Sequence, residues 1–183
     1  MNVVRQVRIR QMQERDYTAY KTLFNQSQTE YLQFLKNTNL QRYLRERKEK
    51  REVTNARFDF YVKTGSSFVA EESGKVVGYV ASQTVPFMHG VDKLLWIEYI
   101  VVKQNHRKQG TALALLQKLL DYAKHHKITR IYTTINPDNQ PSINLHQKAG
   151  FMIEDRKIAT LTNPDSLSMK QKRPDKPQHK IKR

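Results

Sequence analysis

Segment 96–123, WIEYIVVKQNHRKQGTALALLQKLLDYA, constrains the fold more than any other stretch. Residues 97–102 form an apolar run with the marks of a buried strand, interrupted by one acid, Glu98. A polar turn, 103–109, leads to Gly110, and from Thr111 to about residue 126 the apolar positions recur at helical spacing. A strand that passes through a basic loop into a helix is a device for holding phosphate. The first amide N–H groups of the helix lack partners inside it, and its dipole favours negative charge there. Gly110 lets a ligand approach the backbone because no side chain stands in the way. Arg107 and Lys108 add positive charge at the same place.

The chain has 183 residues, the size of one ordinary domain with a substantial core. It holds no apolar run long enough for a membrane helix, and its start, MNVVRQVRIRQMQ, lacks the apolar core of an export signal, so the cytoplasm is the expected compartment. Without cysteine, disulfides, thiolate catalysis and cysteine-based zinc sites are excluded. No pair of histidines has convincing metal-ligand spacing, and no metal is expected. The formal net charge of +16 attracts polyanions: nucleic acid, a ribosome, an acidic protein or a nucleotide cofactor. The same field repels polycations, which disfavours a polyamine or an aminoglycoside as substrate.

Along the chain, residues 7–12 (VRIRQM) alternate as a half-buried strand does. Residues 16–25 read as a first helix, and Tyr31, Phe34 and Leu35 suggest a second. Residues 40–52 are helical by propensity, and 36–51 carry seven basic and two acidic residues. That stretch is either a basic recognition helix or a solvated helix face. Residues 58–62 (FDFYV) are ambiguous between helix and strand. Two strand-like runs within 67–81 flank Ser73-Gly74, a hairpin signature. Pro86, His89 and Gly90 mark a loop before the central strand. After the long helix, 130–135 (RIYTTI) reads as another buried strand, and 136–139 as a turn. Pro141 suits the first turn of a short helix, and Gly150 a left-handed stop at its end. Residues 157–162 and 167–171 read as a closing pair of strands. Residues 174–183 are proline-containing, basic and nearly without large apolar side chains, which predicts a flexible tail.

Two motifs carry a resemblance. The loop Arg107-Lys108-Gln109-Gly110-Thr111-Ala112 is similar to the Gln/Arg-x-x-Gly-x-Gly/Ala loop of the GNAT family, the GCN5-related N-acetyltransferases. The segment from Asn139 through Ser142, Leu145 and His146 to Gly150-Phe151 resembles that family's Asn-x-x-Ala/Ser-x-x-Leu-Tyr-x-x-x-Gly-Phe, with His146 in place of the tyrosine. The likeness spans roughly residues 7–172 and is weakest over 27–66. It implies an α/β GNAT fold, a mixed sheet of about six to seven strands flanked by about four helices, with parallel strands splayed at an acetyl-CoA site. One domain over 1–172 and the tail 173–183 follow from it.

The resemblance implies transfer of an acetyl group from acetyl-CoA to a primary amine, with no metal. The backbone of Ile100, Val101 and Val102 would pair with the pantetheine arm, and the amides of Lys108, Gln109, Gly110, Thr111, Ala112 and Leu113 would cradle the pyrophosphate. Asn139 and Ser142 lie at the pantetheine contact, although Asn139 also suits a helix cap. Glu98 is the candidate general base, against the plainer reading of a strand residue facing solvent or a cation. His146 either assists the leaving sulfur or packs beside the donor. With no cysteine, direct attack in a ternary complex is expected. Ribosomal N-terminal acetyltransferases of the family carry a glutamate five residues before the motif asparagine; Thr134 stands there. The leading acceptor is therefore a small amine or amino-acid-like molecule. The alternatives are an RNA- or ribosome-associated amine and a non-catalytic CoA-binding regulator. Contact with a polyanion and a homodimer are left open, and no membrane partner is expected.

Overall fold

The computed structural model describes residues 7–48 and 52–155. Five strands lie in one sheet in chain order: β1 (Arg8–Gln11), β2 (Phe68–Glu72), β3 (Lys75–Met88), β4 (Val91–Val102) and β5 (Ile131–Thr133). The pairings among the first four are antiparallel, and β5 runs parallel to β4. A parallel neighbour needs a crossover, and α4 (Thr111–His125) supplies it. The remaining helices are α1 (Tyr17–Thr38), α2 (Leu40–Glu46), α3 (Asn55–Lys63) and α5 (Gln140–Lys148). All belong to one compact unit, Met1–Ile153; of a second unit, Glu154–Arg183, only Glu154 and Asp155 are described. The expected closing strands at 157–162 and 167–171, and the expected tail 173–183, lie outside the described residues.

The period-two alternation of the strands sorts the core into two layers. Phe68 and Ala70 of β2, with Leu95 and Ile97 of β4, pack against Leu115, Leu116 and Leu119 of α4. Val69, Tyr79, Ala81 and Val101 face the other way, onto Tyr20 and Phe24 of α1 and Phe58 and Tyr61 of α3. Each fully buried leucine or phenylalanine contributes about 1.5–3 kcal/mol relative to exposure.

Three expectations are corrected and one open alternative is settled. The first two helices are a single one, α1. Its polar middle looks like a loop in sequence but contains neither glycine nor proline, and Ser27 and Thr29 donate their hydroxyls back to the carbonyls of Phe24 and Asn25. Of the helix expected over 40–52, α2 ends at Glu46, and 49–51 are outside the described residues. Residues 58–62 resolve as helix, capped by Thr54, whose side chain accepts from Arg57 N–H. Pro86 lies inside β3 rather than in a loop, opposite Lys93. β2 accompanies β3 only as far as Val80, so Pro86 sits where β3 has a neighbour on one side only, which a proline tolerates. The turn itself is His89–Gly90, both at positive φ.

Candidate active site

β4 changes partners at one point. Its register with β3 pairs Ile97 with Ser82 and Tyr99 with Ala81, so Glu98 is an extra residue, a β-bulge. The bulge reverses the alternation. Ile97 faces the α4 layer, while Tyr99 and Val101 beyond the bulge face the α1 layer. The backbone of Ser82, opposite the bulge, is served by buried hydroxyls: Ser67 Oγ donates to the Ser82 carbonyl at 3.1 Å and accepts from its N–H at 3.0 Å, and Ser66 Oγ donates to the same carbonyl. The irregularity is thus built in, with no polar backbone group of Ser82 left unsatisfied.

The same point is where β5 departs. The β4–β5 pairing ends at Ile97 with Thr133, and Thr133 Oγ1 closes it with a 3.1 Å hydrogen bond to the Ile97 carbonyl. Among the described residues, β5 pairs with nothing beyond it, so the β4 edge through Ile100, Val101 and Val102 faces a gap on that side. Glu98 stands at the apex, half-buried, with Oε1 accepting from Gln83 Nε2 at 2.6 Å. Beneath it Tyr20, Tyr61 and Tyr79 form an aromatic floor, Tyr20 and Tyr79 with ring centroids 4.6 Å apart. Burial holds all three phenols well above the ordinary tyrosine pKa, so they stay protonated.

Past Val102 the chain makes a short 3-10 turn, Gln104–His106, and reaches the glycine loop. Lys108 and Gly110 both take left-handed backbone conformations, with Gly110 at φ +85°, and Gly110 immediately precedes the first residue of α4. A Cβ at Gly110 would meet no protein atom within 4 Å, so the space above it is open to a ligand. The Arg107 side chain turns away from the loop: Nε donates to the Val102 carbonyl at 2.8 Å, and Nη2 lies 2.5 Å from Glu30 Oε2 on α1. An open cavity of about 620 Å³ lies between α1 and this end of β4, touching Val101, Val102, Arg107 and Glu30.

Across the gap, the turn after β5 is held from the opposite layer. Asn136 Oδ1 accepts from Arg42 Nη1 at 2.6 Å, and its Nδ2 donates to Tyr31 Oη at 3.1 Å. Consecutive residues of α1, Glu30 and Tyr31, therefore tie one helix to both sides of the splay. Sequence reasoning missed this strap, because its partners lie 77, 94 and 105 residues apart and no local pattern marks them.

Asn139 caps α5, its side chain accepting from Ser142 N–H. His146, one turn on, is 2 % exposed. Its Nδ1 lies 2.8 Å from the Ser142 carbonyl, which only accepts, so Nδ1 carries the proton and Nε2 of the neutral ring is an acceptor. Nε2 is buried and has no partner among the described residues. Burial lowers the His146 pKa below its ordinary value, partly opposed by the Ser142 hydrogen bond. A donation from Nε2 therefore needs the imidazolium, which burial disfavours. The linkage follows in sign: the unfolded chain takes up this proton more readily than the folded one, so stability present above about pH 6.5 is lost as pH falls through the folded-state pKa. Thermal melts at pH 7.5 and pH 5 are expected to show a smaller acid-induced drop in Tm for His146→Gln than for the unsubstituted protein; equal drops would show that the ring is not held neutral.

Structure and sequence comparisons agree on this architecture. A family model described as the Acetyltransferase (GNAT) family matches residues 14–151. An L-2,4-diaminobutyric acid acetyltransferase of Nocardia farcinica is 38 % identical over 79 residues, 43 % of this chain and 39 % of that protein. An N-alpha-acetyltransferase of Sulfurisphaera tokodaii is 31 % identical over 91 residues, 46 % of this chain and 54 % of that one. The chain thus spans between about two fifths and a little over half of these curated relatives. Among solved structures, the aminoglycoside N-acetyltransferase AAC(6')-Iy in complex with CoA superposes with a TM-score of 0.63 at 19 % identity, over 85 % of this chain and 98 % of that one. Arabidopsis thaliana Naa50 with a bisubstrate analogue does so at 0.58 and 20 % identity, over 81 % and 85 %. Among the described residues no helix is long and apolar enough to cross a membrane, and no group of three or more acidic or histidine side chains is disposed to hold a metal ion. With the family model covering residues 14–151, most of the chain, the chain belongs to the Acetyltransferase (GNAT) family.

Proposed function

We propose that the chain transfers the acetyl group of acetyl-CoA to the primary amine of a small, amino-acid-like acceptor. The observation that carries this reading is the departure of β5 from β4 at the Glu98 bulge, with a glycine loop and a helix N-terminus at the far end of the same strand edge. Bound acetyl-CoA supplies a thioester as acyl donor. Lys108, Gln109, Gly110, Thr111, Ala112 and Leu113 would direct backbone amides at its pyrophosphate. The free edge at Ile100, Val101 and Val102 offers backbone donors and acceptors to the amide-rich pantetheine, as an added strand would use them. Asn139 keeps an amide N–H₂ for the same arm while its oxygen caps α5. Arg107, committed to Glu30 and Val102, sets the loop against α1 and β4 more than it neutralises phosphate.

Glu98 accepts the proton that the acceptor ammonium must lose before its nitrogen can attack; the new C–N bond then replaces the C–S bond, and the proton the nitrogen sheds in becoming an amide goes to the departing thiolate, so CoA leaves as the thiol. The α1 strap encloses the acceptor side of the gap. His146 supports the α5 wall, its ring buried against Phe151 and anchored to the Ser142 carbonyl.

The acceptor class is supported by the likeness to a diaminobutyrate acetyltransferase and by the +16 charge, which repels polycations. CoA release measured with amino acids bearing a second amine, N-terminal peptides, an aminoglycoside and aminoacyl-tRNA tests it. Turnover is expected to be highest with the diamino acids. Turnover confined to aminoacyl-tRNA, or to the aminoglycoside, would overturn the acceptor class; absence of turnover with all of them, in a protein that binds acetyl-CoA, would favour a regulatory role.

A further inference from the structure

One buried histidine, hydrogen-bonded to a carboxylate, precedes the glycine loop and takes no part in the chemistry above. His106 ends the 3-10 turn between β4 and the loop and is 5 % exposed. Its Nε2 lies 3.0 Å from Glu72 Oε2, at the tip of β2, across 34 residues of chain. A carboxylate only accepts, so Nε2 carries the proton. Nδ1 lies 2.6 Å from Asn105 Oδ1. The other Glu72 oxygen, Oε1, is buried without a partner among the described residues, which leaves His106 as the polar contact of that carboxylate.

The backbone of His106 is engaged as well. Its N–H donates to the Lys103 carbonyl at 2.8 Å, closing the 3-10 turn. Its carbonyl accepts from Thr111 Oγ1 at 3.3 Å, and Thr111, the first residue of α4, is itself buried. His106 therefore joins three parts: the β2 tip through its ring, the strand end through its N–H, and the start of α4 through its carbonyl. Between His106 and Thr111 lie only the four loop residues, with Lys108 and Gly110 in left-handed conformations. Arg107 ties the start of this loop to Val102 and Glu30, and Gln109 Nε2 donates to the Asn105 carbonyl at 3.0 Å, so His106 is the tie that reaches the β2 tip. Remove the ring and the β2 tie is lost, the half-buried Glu72 carboxylate loses its partner, and the stretch between β4 and α4 is held on one side less.

We infer that His106, held by Glu72, is a positioning residue that presets the loop amides for the pyrophosphate of the acyl donor. This rests on the acetyl-CoA reading and deepens it. A preset loop avoids an ordering cost at binding, so the expected signature is a loss of affinity confined to ligands that carry the pyrophosphate. Donor groups fixed on the strand edge are out of reach of His106 and are expected to be unaffected.

The test is titration of the folded full chain and of His106→Ala, His106→Gln and Glu72→Gln with acetyl-CoA, with 3′-phosphoadenosine 5′-diphosphate and with S-acetylpantetheine, which lacks the pyrophosphate. Failure of the unsubstituted chain to bind acetyl-CoA would overturn the donor reading itself. Given binding, His106→Ala is expected to weaken acetyl-CoA and the diphosphate by about tenfold or more while leaving S-acetylpantetheine within about twofold. His106→Gln, whose amide N–H₂ can still reach Glu72, is expected to recover part of the loss. Adding Glu72→Gln to His106→Ala is expected to change little, because the two act through one contact. Acetyl-CoA affinity within twofold for His106→Ala, or an equal loss for all three ligands, would overturn the inference. Should His106→Ala fail to fold, the same ligand comparison on His106→Gln and Glu72→Gln decides it: a diphosphate-selective loss supports the positioning role, and its absence overturns it.

Discussion

Gly110→Glu is expected to abolish acetyl-CoA binding in a protein that still folds. Two effects of this substitution separate cleanly. The first is backbone strain: Gly110 sits at φ +85°, where an L-residue costs about 1–2 kcal/mol. That cost is a modest fraction of a typical domain's stability, and a carboxylate at a helix N-terminus recovers part of it through the helix dipole. The second is the ligand. The Cβ would point into open space, so the added side chain displaces no protein atom, only whatever the helix N-terminus binds. A carboxylate there satisfies the α4 amides itself and opposes the charge of a pyrophosphate. Gly110→Ala is the control, since it carries the same strain without the charge. Calorimetry is expected to show no measurable binding for Gly110→Glu and a smaller loss for Gly110→Ala, with both proteins retaining a cooperative thermal transition. Binding by Gly110→Glu at the unsubstituted affinity would remove the pyrophosphate from this loop.

The loop was legible in the sequence because its requirements are local. A glycine without a side chain to block a ligand, a strand before it and a helix after it are all written within segment 96–123. Pro141 in the first turn of α5 and Gly150 at φ +90° just past its end were legible for the same reason, whereas the parallel placement of β4 and β5 came with the family resemblance. The bulge was not. Glu98 stands out as an acid in an apolar run, but that it is the extra residue follows from Ser82 and Ala81 on another strand, and from Ser66 and Ser67 satisfying the backbone opposite. The strap was equally hidden. Tyr31 reads as an apolar helix position and Arg42 as one more surface cation until Asn136 is brought between them. His106 reads as a loop histidine until the β2 tip supplies Glu72. In each case the missing information is a contact between segments far apart in sequence.

Glu98→Gln is expected to lower turnover by about a hundredfold near pH 7, the lower end of what a positioned general base supplies, with acetyl-CoA affinity nearly unchanged. The geometry makes this substitution clean. Glutamine keeps the length and shape of the side chain, and its amide oxygen can accept from Gln83 Nε2, so the 2.6 Å contact that orients the group survives. What is lost is the ability to take a proton. The edge proposed for the donor, Ile100 to Val102, lies beyond the bulge on β4 and would use backbone groups that the substitution does not touch. The pH dependence carries the argument further. An acceptor ammonium with a lysine-like pKa of about 10.4 is almost wholly protonated at pH 7, so the base matters most there. As pH rises, free amine becomes available without it, and the deficit of the variant is expected to shrink steadily toward pH 10. A second substitution separates chemistry from scaffolding. Gln83→Leu removes the hydrogen bond that aims the carboxylate but leaves the base in place, and is expected to cost less than Glu98→Gln with a smaller dependence on pH. If Glu98→Gln instead lowers turnover by the same factor at every pH, the carboxylate contributes through charge or position, and the proton leaves by another route. If it changes turnover by less than twofold, the bulge serves only to reverse the alternation of β4, placing Tyr99 and Val101 against the α1 layer while the free edge turns toward the donor.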